Sequence, residues 1–148
     1  MGPANPADYA GDITCTEAWD VLRTDGGAQV VDVRTMAEWS YVGLPDLTTL
    51  RRRVLTVEWH SFGASTVNPD FVAQVRDGLS ALGVGAETAI LFLCRSGARS
   101  RLAAMAMARV GFKRAYNIAD GFEGDLDSEY HRGRRGGWKA AGLPWRQT

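Results

Sequence analysis

Cys94 closes an apolar run, Ala89-Ile90-Leu91-Phe92-Leu93, and opens the loop Cys94-Arg95-Ser96-Gly97-Ala98-Arg99-Ser100, after which an alanine- and methionine-rich stretch has helical character. A thiol at a strand's end, over backbone N–H groups that converge on a helix start, is a nucleophile held inside an anion site. Cysteine attacks as its thiolate, and a free thiol with a pKa of about 8.5 is mostly protonated at neutral pH. Three features of the loop favour the thiolate. The following helix points its positive end at the loop, successive N–H groups around Gly97 form a cradle for negative charge, and Arg95 and Arg99 add fixed positive charge. Ser96 and Ser100 supply hydroxyl donors, and Gly97 permits a tight curl that a side chain would obstruct.

The same cradle accepts a phosphate, an arsenate or a sulfur oxyanion, and loop length separates these. Phosphatases and arsenate reductases that use cysteine chemistry place arginine after five intervening residues, where this chain has Ser100; its arginines stand after four (Arg99) and after six (Arg101). A shorter loop leaves less room for a tetrahedral oxyanion and suits a single extra sulfur on the cysteine.

The elements that must position this loop alternate along the chain. Residues 1–8, with two prolines, read as a loose tail before one domain over 9–148. Thr14 and Glu17 form a capping box for a helix whose apolar face is Ala18, Trp19, Val21 and Leu22, ended by Gly26-Gly27. Gln29 to Arg34 reads as a buried strand, Ala37 to Tyr41 as a helical turn, and Val54 to Trp59 as the next strand. Asn68-Pro69-Asp70 starts a helix with proline early in it, running through Phe71, Val72, Val75 and Leu79 to Gly83. Thr88 to Leu93 is the strand before the loop, Arg99 to Val110 the helix after it, and Arg114 to Ile118 a last strand. Trp138 to Trp145 packs back on the core through its tryptophans. Strands alternating with helices imply an α/β fold, a parallel sheet covered on both faces, with ligands at the carboxyl ends of the strands. Cys94 lies at such an end.

Composition narrows the function classes. The 17 basic and 17 acidic residues cancel, which disfavours a polycation that holds nucleic acid or an acidic membrane by charge. Neither Cys15 nor Cys94 belongs to a CxxC pair, so no zinc or thioredoxin-type spacing is present. The N-terminus has no basic region or long apolar run, and no segment approaches transmembrane length. The expectation is a cytoplasmic, reduced protein.

Val30-Val31-Asp32-Val33-Arg34, the Cys94-to-Ser100 loop and Asn117-Ile118-Ala119-Asp120-Gly121-Phe122-Glu123-Gly124 together resemble a single rhodanese (sulfurtransferase) domain, in order and spacing from roughly Ile13 to Trp145. The resemblance implies a three-layer sandwich around a mainly parallel sheet of about five strands. It implies Cys94 as the nucleophile that carries a persulfide, with Arg95, Ser96, Gly97, Ala98, Arg99 and Ser100 as the substrate-binding loop. The donor would be thiosulfate, a polysulfide or a persulfide. The acceptor would be a thiol, cyanide or another protein, and no metal or organic cofactor is needed. The His-Ile-Pro-Gly-Ala segment often found after the Asp-x-Arg strand is replaced by Val42-Gly43-Leu44-Pro45-Asp46, and 47–53 is longer and more basic than a minimal domain needs. Those departures touch the pocket wall.

A cysteine-dependent phosphatase or arsenate reductase on the same fold, and a non-catalytic binding module, are the alternatives. Asp32 and Arg34 form a pair behind the loop, more structural than catalytic. Cys15, in a helix's first turn without a cation nearby, reads as a structural thiol. Arg51-Arg52-Arg53 lines an entrance or forms a solvated turn. His60 is a general base only if the thiol needs one.

Overall fold

A computed structural model describes residues 8–61 and 63–147. Of the expected tail, all but Asp8 lies outside the described residues.

β1 (Gly11–Ile13), β2 (Gln29–Asp32), β4 (Leu55–Thr56), β5 (Ile90–Leu93) and β6 (Ala115–Ile118) form one sheet in the order β1-β6-β5-β2-β4, every neighbouring pair parallel. β2 and β5 are buried along their whole length, as expected of central parallel strands covered on both faces. Alternation sorts their side chains. Val31, Ile90 and Phe92 face a core shared with α3 (Phe71–Ala81) and α4 (Ala98–Arg109). Val30, Leu91 and Leu93 face a second core, built on α1 (Cys15–Thr24) and Trp138. The α/β architecture is therefore a helix–sheet–helix sandwich. The same alternation places Cys94, four residues after Ile90, on the α4 side.

Several boundaries differ from the sequence reading. β1 falls where only a helix start was expected; it is a three-residue edge strand held to β6 by register, Gly11 opposite Tyr116. The strand expected over 54–59 is only two residues long. Beyond it, Val57 and Trp59 still donate to the Asp32 and Val33 carbonyls, at 3.1 and 3.0 Å. Pro69 precedes α3 instead of opening it. Asn68 forms the turn there, its Oδ1 accepting from the Asp70 N–H at 3.0 Å, and Asp70 makes no side-chain capping bond. The capping box of α1 is present as read, with Thr14 accepting from the Glu17 N–H at 3.1 Å and Glu17 accepting from the Thr14 N–H at 2.9 Å. A second one, Thr35 with Glu38, starts α2 (Met36–Tyr41).

The C-terminal stretch does pack back, and it does so in two ways. Trp138 is fully buried, its indole N–H donates to the Pro144 carbonyl at 2.7 Å, and its ring meets Trp19 edge-on at 6.0 Å. Beyond it β7 (Trp145–Arg146) pairs antiparallel with β3 (Leu44–Pro45), a small second sheet that short-range pattern did not announce. Arg51–Arg53 follow a 3₁₀ turn, Thr48–Leu50. They border a cavity with Gly26 and Gln29, at the amino end of β2 and so opposite the Cys94 loop. Arg52 donates to the last carbonyls around α1, those of Leu22 and Asp25. It caps a helix and does not line an entrance.

Burial decides the two tryptophans' worth. Trp138→Ala should cost about 3–5 kcal/mol in denaturant unfolding, whereas half-exposed Trp145→Ala should cost about 1 kcal/mol or less; equal losses would contradict this packing.

Candidate functional site

The loop after β5 is held by the turn after β6. The Phe122 N–H donates to the Cys94 carbonyl at 2.8 Å, and the Glu123 and Gly124 N–H groups donate to the Arg95 carbonyl at 3.0 and 3.1 Å. Two glycines make this approach possible. Gly97 has φ 104°, and a Cβ on it would lie 2.2 Å from the Ala119 carbonyl oxygen; Gly121 has φ 71°, and its Cβ would lie 2.3 Å from the Arg95 carbonyl oxygen. Both conformations disfavour a side chain, and both contacts are backbone that cannot yield.

Gly97 is also the N-cap of α4. Its N–H donates to Cys94 Sγ at 3.1 Å, and the Ser100 hydroxyl, one turn further, stands 3.1 Å from the same sulfur. Cys94 thus sits at the positive end of a twelve-residue helix with two donors converging on it. The residue is only 1% exposed.

Behind Ser100 lies Asn117 of β6. Its Oδ1 is 2.5 Å from the Ser100 hydroxyl, and its Nδ2 donates to the Gly97 carbonyl at 3.2 Å and to Asp12 Oδ1 at 3.1 Å. Asp12 in turn accepts from the Tyr9 hydroxyl at 2.6 Å. Ser100 and Asn117 are among the few polar residues buried in the core.

The two loop arginines have different fates. Arg99 is bound through both terminal nitrogens to Glu38, at 2.7 and 2.9 Å. Burial works to raise the Glu38 carboxyl, but the Arg99 bonds, the Thr35 N–H and the Arg34 charge outweigh it and hold it below the ordinary carboxylate range. Burial likewise disfavours the Arg99 cation, and Glu38, with the Cys94 and Asp32 charges, reverses that. The Arg95 side chain is exposed and makes no hydrogen bond or ion pair among the described residues. Arg95 and Arg99 line a cleft of about 570 Å³ together with Thr35, Glu38, His60 and Arg132.

Asp32 and Arg34 form a fully buried pair. The Arg34 Nη2 donates to Asp32 Oδ2 at 2.7 Å and to the Gly43 carbonyl at 2.7 Å, and the guanidinium lies 4.3 Å from the centre of the Phe122 ring. It links the end of β2 to the end of α2 and to the turn that clamps the loop. Cys15 is elsewhere, across the sheet: its Sγ donates to the Gly121 carbonyl at 3.2 Å, and burial, aided by the Asp120 carboxylate, pushes its thiol far above the usual range. Both cysteines are free. Among the described residues no group of three or more His, Cys, Asp or Glu is arranged to hold a metal ion.

The structure therefore brings together Cys94, Gly97 and Ser100 at the sulfur, and Arg95 and Arg99 at the cleft. Neither Ser96 nor Ala98 hydrogen-bonds the sulfur through its side chain. Three participants escaped the sequence reading. Glu38 was legible as the fourth position of a capping box, Thr35-Met36-Ala37-Glu38, but not as the partner of Arg99. Asn117, a buried amide in an apolar strand, had to have partners. Arg132, which donates to the Gly124 carbonyl at 2.8 Å, carried no signal.

A parallel five-stranded sheet with a cysteine loop at its carboxyl edge, locked by the turn after β6, defines a rhodanese-like α/β domain. The model of the family described as the STR4 middle domain matches residues 10–148, and the chain belongs to that rhodanese-like family. It is similar to Rv0390 from M. tuberculosis, whose crystal structure superposes with a TM-score of 0.85 at 48% identity, covering 95% of this chain and 100% of that one. An uncharacterized protein of Rickettsia conorii is 38% identical over 133 residues, 90% of this chain and 94% of its own length. The chloroplastic rhodanese-like domain-containing protein 4 of Arabidopsis thaliana is 30% identical over 128 residues, 86% of this chain but 24% of that protein.

Two outcomes test the geometry. Gly121→Ala should cost about 2 kcal/mol or more in unfolding free energy, because the left-handed backbone and the Arg95 carbonyl both oppose a Cβ. Glu38→Gln should lower stability by about 1–2 kcal/mol at neutral pH. Since the Glu38 carboxyl is held low in the folded state, its contribution is present above the unfolded carboxyl value and lost as pH falls through the folded one. The melting-temperature gap between wild type and Glu38→Gln should therefore close as the pH drops from about 5 toward 3.

Proposed function

We propose that the protein is a sulfurtransferase that works by double displacement through Cys94. The observation that carries this reading is the convergence of the Gly97 N–H and the Ser100 hydroxyl on one buried sulfur at the N-terminus of α4. The Cys94 thiolate attacks the outer sulfur of thiosulfate, a polysulfide or a persulfide. A new S–S bond forms as the donor's own bond to that sulfur breaks, and sulfite or the shortened thiolate leaves with the electron pair. The outer sulfur of the Cys94 persulfide then carries the negative charge, within reach of the loop's N–H groups and the helix's positive end. An acceptor thiolate or cyanide attacks that outer sulfur, and Cys94 leaves as thiolate. No proton need be removed from an ionised nucleophile, so His60 on the cleft wall is not required as a base.

Arg95, whose side chain has no partner among the described residues, is the cation offered to an anionic donor, while Arg99 works through its bond to Glu38 to hold α2 against the loop. Asp32 and Arg34 act behind the loop as scaffold. A small anionic donor and a thiol, cyanide or protein acceptor fit this arrangement, with no nucleic acid or membrane involved. Two free thiols suit the reducing cytoplasm.

Incubation with thiosulfate or polysulfide, read by intact mass, should add one sulfur atom to the wild type and none to Cys94→Ala. An adduct that survives Cys94→Ala, or no adduct with any donor, would sink the proposal. Hydrolysis of an aryl phosphate that is lost in Cys94→Ser would replace it with a phosphatase.

A further inference from the structure

The Ser100 hydroxyl has one proton and two acceptors. It stands 3.1 Å from Cys94 Sγ and 2.5 Å from Asn117 Oδ1. The orientation of the Asn117 amide is not free to resolve the conflict. Both hydrogens on Nδ2 are used, one on the Gly97 carbonyl at 3.2 Å and one on Asp12 Oδ1 at 3.1 Å, so a flipped amide would set its oxygen against two acceptors. Asp12 is itself fixed, by the Tyr9 hydroxyl at 2.6 Å, and Tyr9 receives Arg101 Nε at 3.3 Å. The carbonyl oxygen of Asn117 therefore always faces Ser100.

We propose that Asn117 is a positioning residue that restrains Cys94 by competing with its thiolate for the single hydroxyl proton of Ser100. Two arrangements satisfy the chain. With Cys94 as a thiol, S–H donates to Ser100 Oγ, and Ser100 donates to Asn117 Oδ1, so every group is paired. With Cys94 as a thiolate, the hydroxyl must turn to the sulfur. Asn117 Oδ1 is then left without a donor, 2.5 Å from the lone pairs of Ser100, in a buried site where such a loss is costly. Ser100 thus stabilises the thiolate and Asn117 opposes it, through the same proton. Ionisation releases the Cys94 thiol proton to solvent, while the Ser100 hydroxyl keeps its own proton and only rotates from Asn117 to the sulfur. The Gly97 N–H bonds the sulfur in both arrangements and does not depend on this rotation.

The consequence for sulfur transfer rests on the function proposed above. In the persulfide the charge moves to the outer sulfur, the inner one becomes a poor acceptor, and the hydroxyl can return to Asn117. The amide then favours the loaded state over the free thiolate.

The test does not require transfer. Iodoacetamide alkylation of Cys94 in the intact protein, at one fixed and mildly acidic pH, reads the thiolate population by mass; Cys15, buried and held protonated, stays silent. Ser100→Ala should slow alkylation and Asn117→Thr should accelerate it, each by about three- to tenfold, the span of one hydrogen bond's net contribution. Thr suits the strand and keeps a hydroxyl to donate to the Gly97 carbonyl, but it presents no carbonyl to Ser100. In a Ser100→Ala background Asn117→Thr should have no effect, and Ser100→Thr should restore the wild-type rate. If Asn117→Thr does not fold by circular dichroism, Asn117→Ser carries the same expectation. Slower alkylation in both single variants, or an Asn117 effect that persists without the Ser100 hydroxyl, overturns the proposal. Those signs stand whether or not a persulfide forms.

Discussion

The site depends on one steric constraint, the interlock between the loop 94–97 and the turn 119–124. Each segment places a glycine where the other's backbone comes closest: Gly97 against the Ala119 carbonyl, Gly121 against the Arg95 carbonyl. Because neither can carry a Cβ, the two turns approach until the Phe122, Glu123 and Gly124 N–H groups reach the Cys94 and Arg95 carbonyls. With those carbonyls tied on one side, the peptide chain is held in the curl that lets the Gly97 N–H reach the sulfur on the other. A reactive loop is normally a mobile one. Here its geometry is fixed by backbone hydrogen bonds that no side-chain rotamer can alter.

Charge is organised from the same place outward. A buried charged pair such as Asp32–Arg34 needs further hydrogen-bonding partners. It finds them in the Gly43 carbonyl, the Phe122 face and the Arg34 backbone N–H, which donates to Asp32 at 3.1 Å, while Arg34 Nη1 has no hydrogen-bond partner among the described residues. In doing so it ties β2 to the end of α2, and α2 carries Glu38, which holds Arg99 of the loop. One line of contacts thus runs from the sheet through α2 back to α4. The net charge of zero hides this order: of the cleft's arginines, Arg99 is paired with Glu38, Arg132 is spent on the Gly124 carbonyl, and the Arg95 side chain has no partner among the described residues.

Much of this was legible in the sequence, for identifiable reasons. The strands β2 and β5 stood out because burial on both faces demands unbroken apolar runs, and α1 because its cap is local in sequence. Cys94 was legible because strand end, glycine and helix start lie within a few residues. What failed to show was non-local or slight. β1 and β4 are edge strands of three and two residues, too short for alternation to register, and the β3–β7 pair joins segments a hundred residues apart. The Glu38–Arg99 bond spans 61 positions, and Arg52 looked like part of a basic run until its two carbonyl acceptors on α1 appeared. Pattern reads local periodicity, and each of these is a tertiary choice.

On the sulfur-transfer function proposed above, the division of labour among donors bears on why sulfur would suit this cradle better than phosphate. A phosphoryl group brings three oxygens and needs a guanidinium turned inward to share their charge. Here Arg99 is committed to Glu38 through both terminal nitrogens, and Ser100 already has more acceptors than protons. What remains for an incoming group is one backbone N–H at the sulfur, the end of a helix, the Arg95 side chain at the cleft, and a Cys94 only 1% exposed. Such a site can hold one added atom with one charge. The persulfide of the proposed sulfur transfer would ask for no more than that, and under the proposal above Asn117 would place the Ser100 proton where loss of charge from the inner sulfur sets it free.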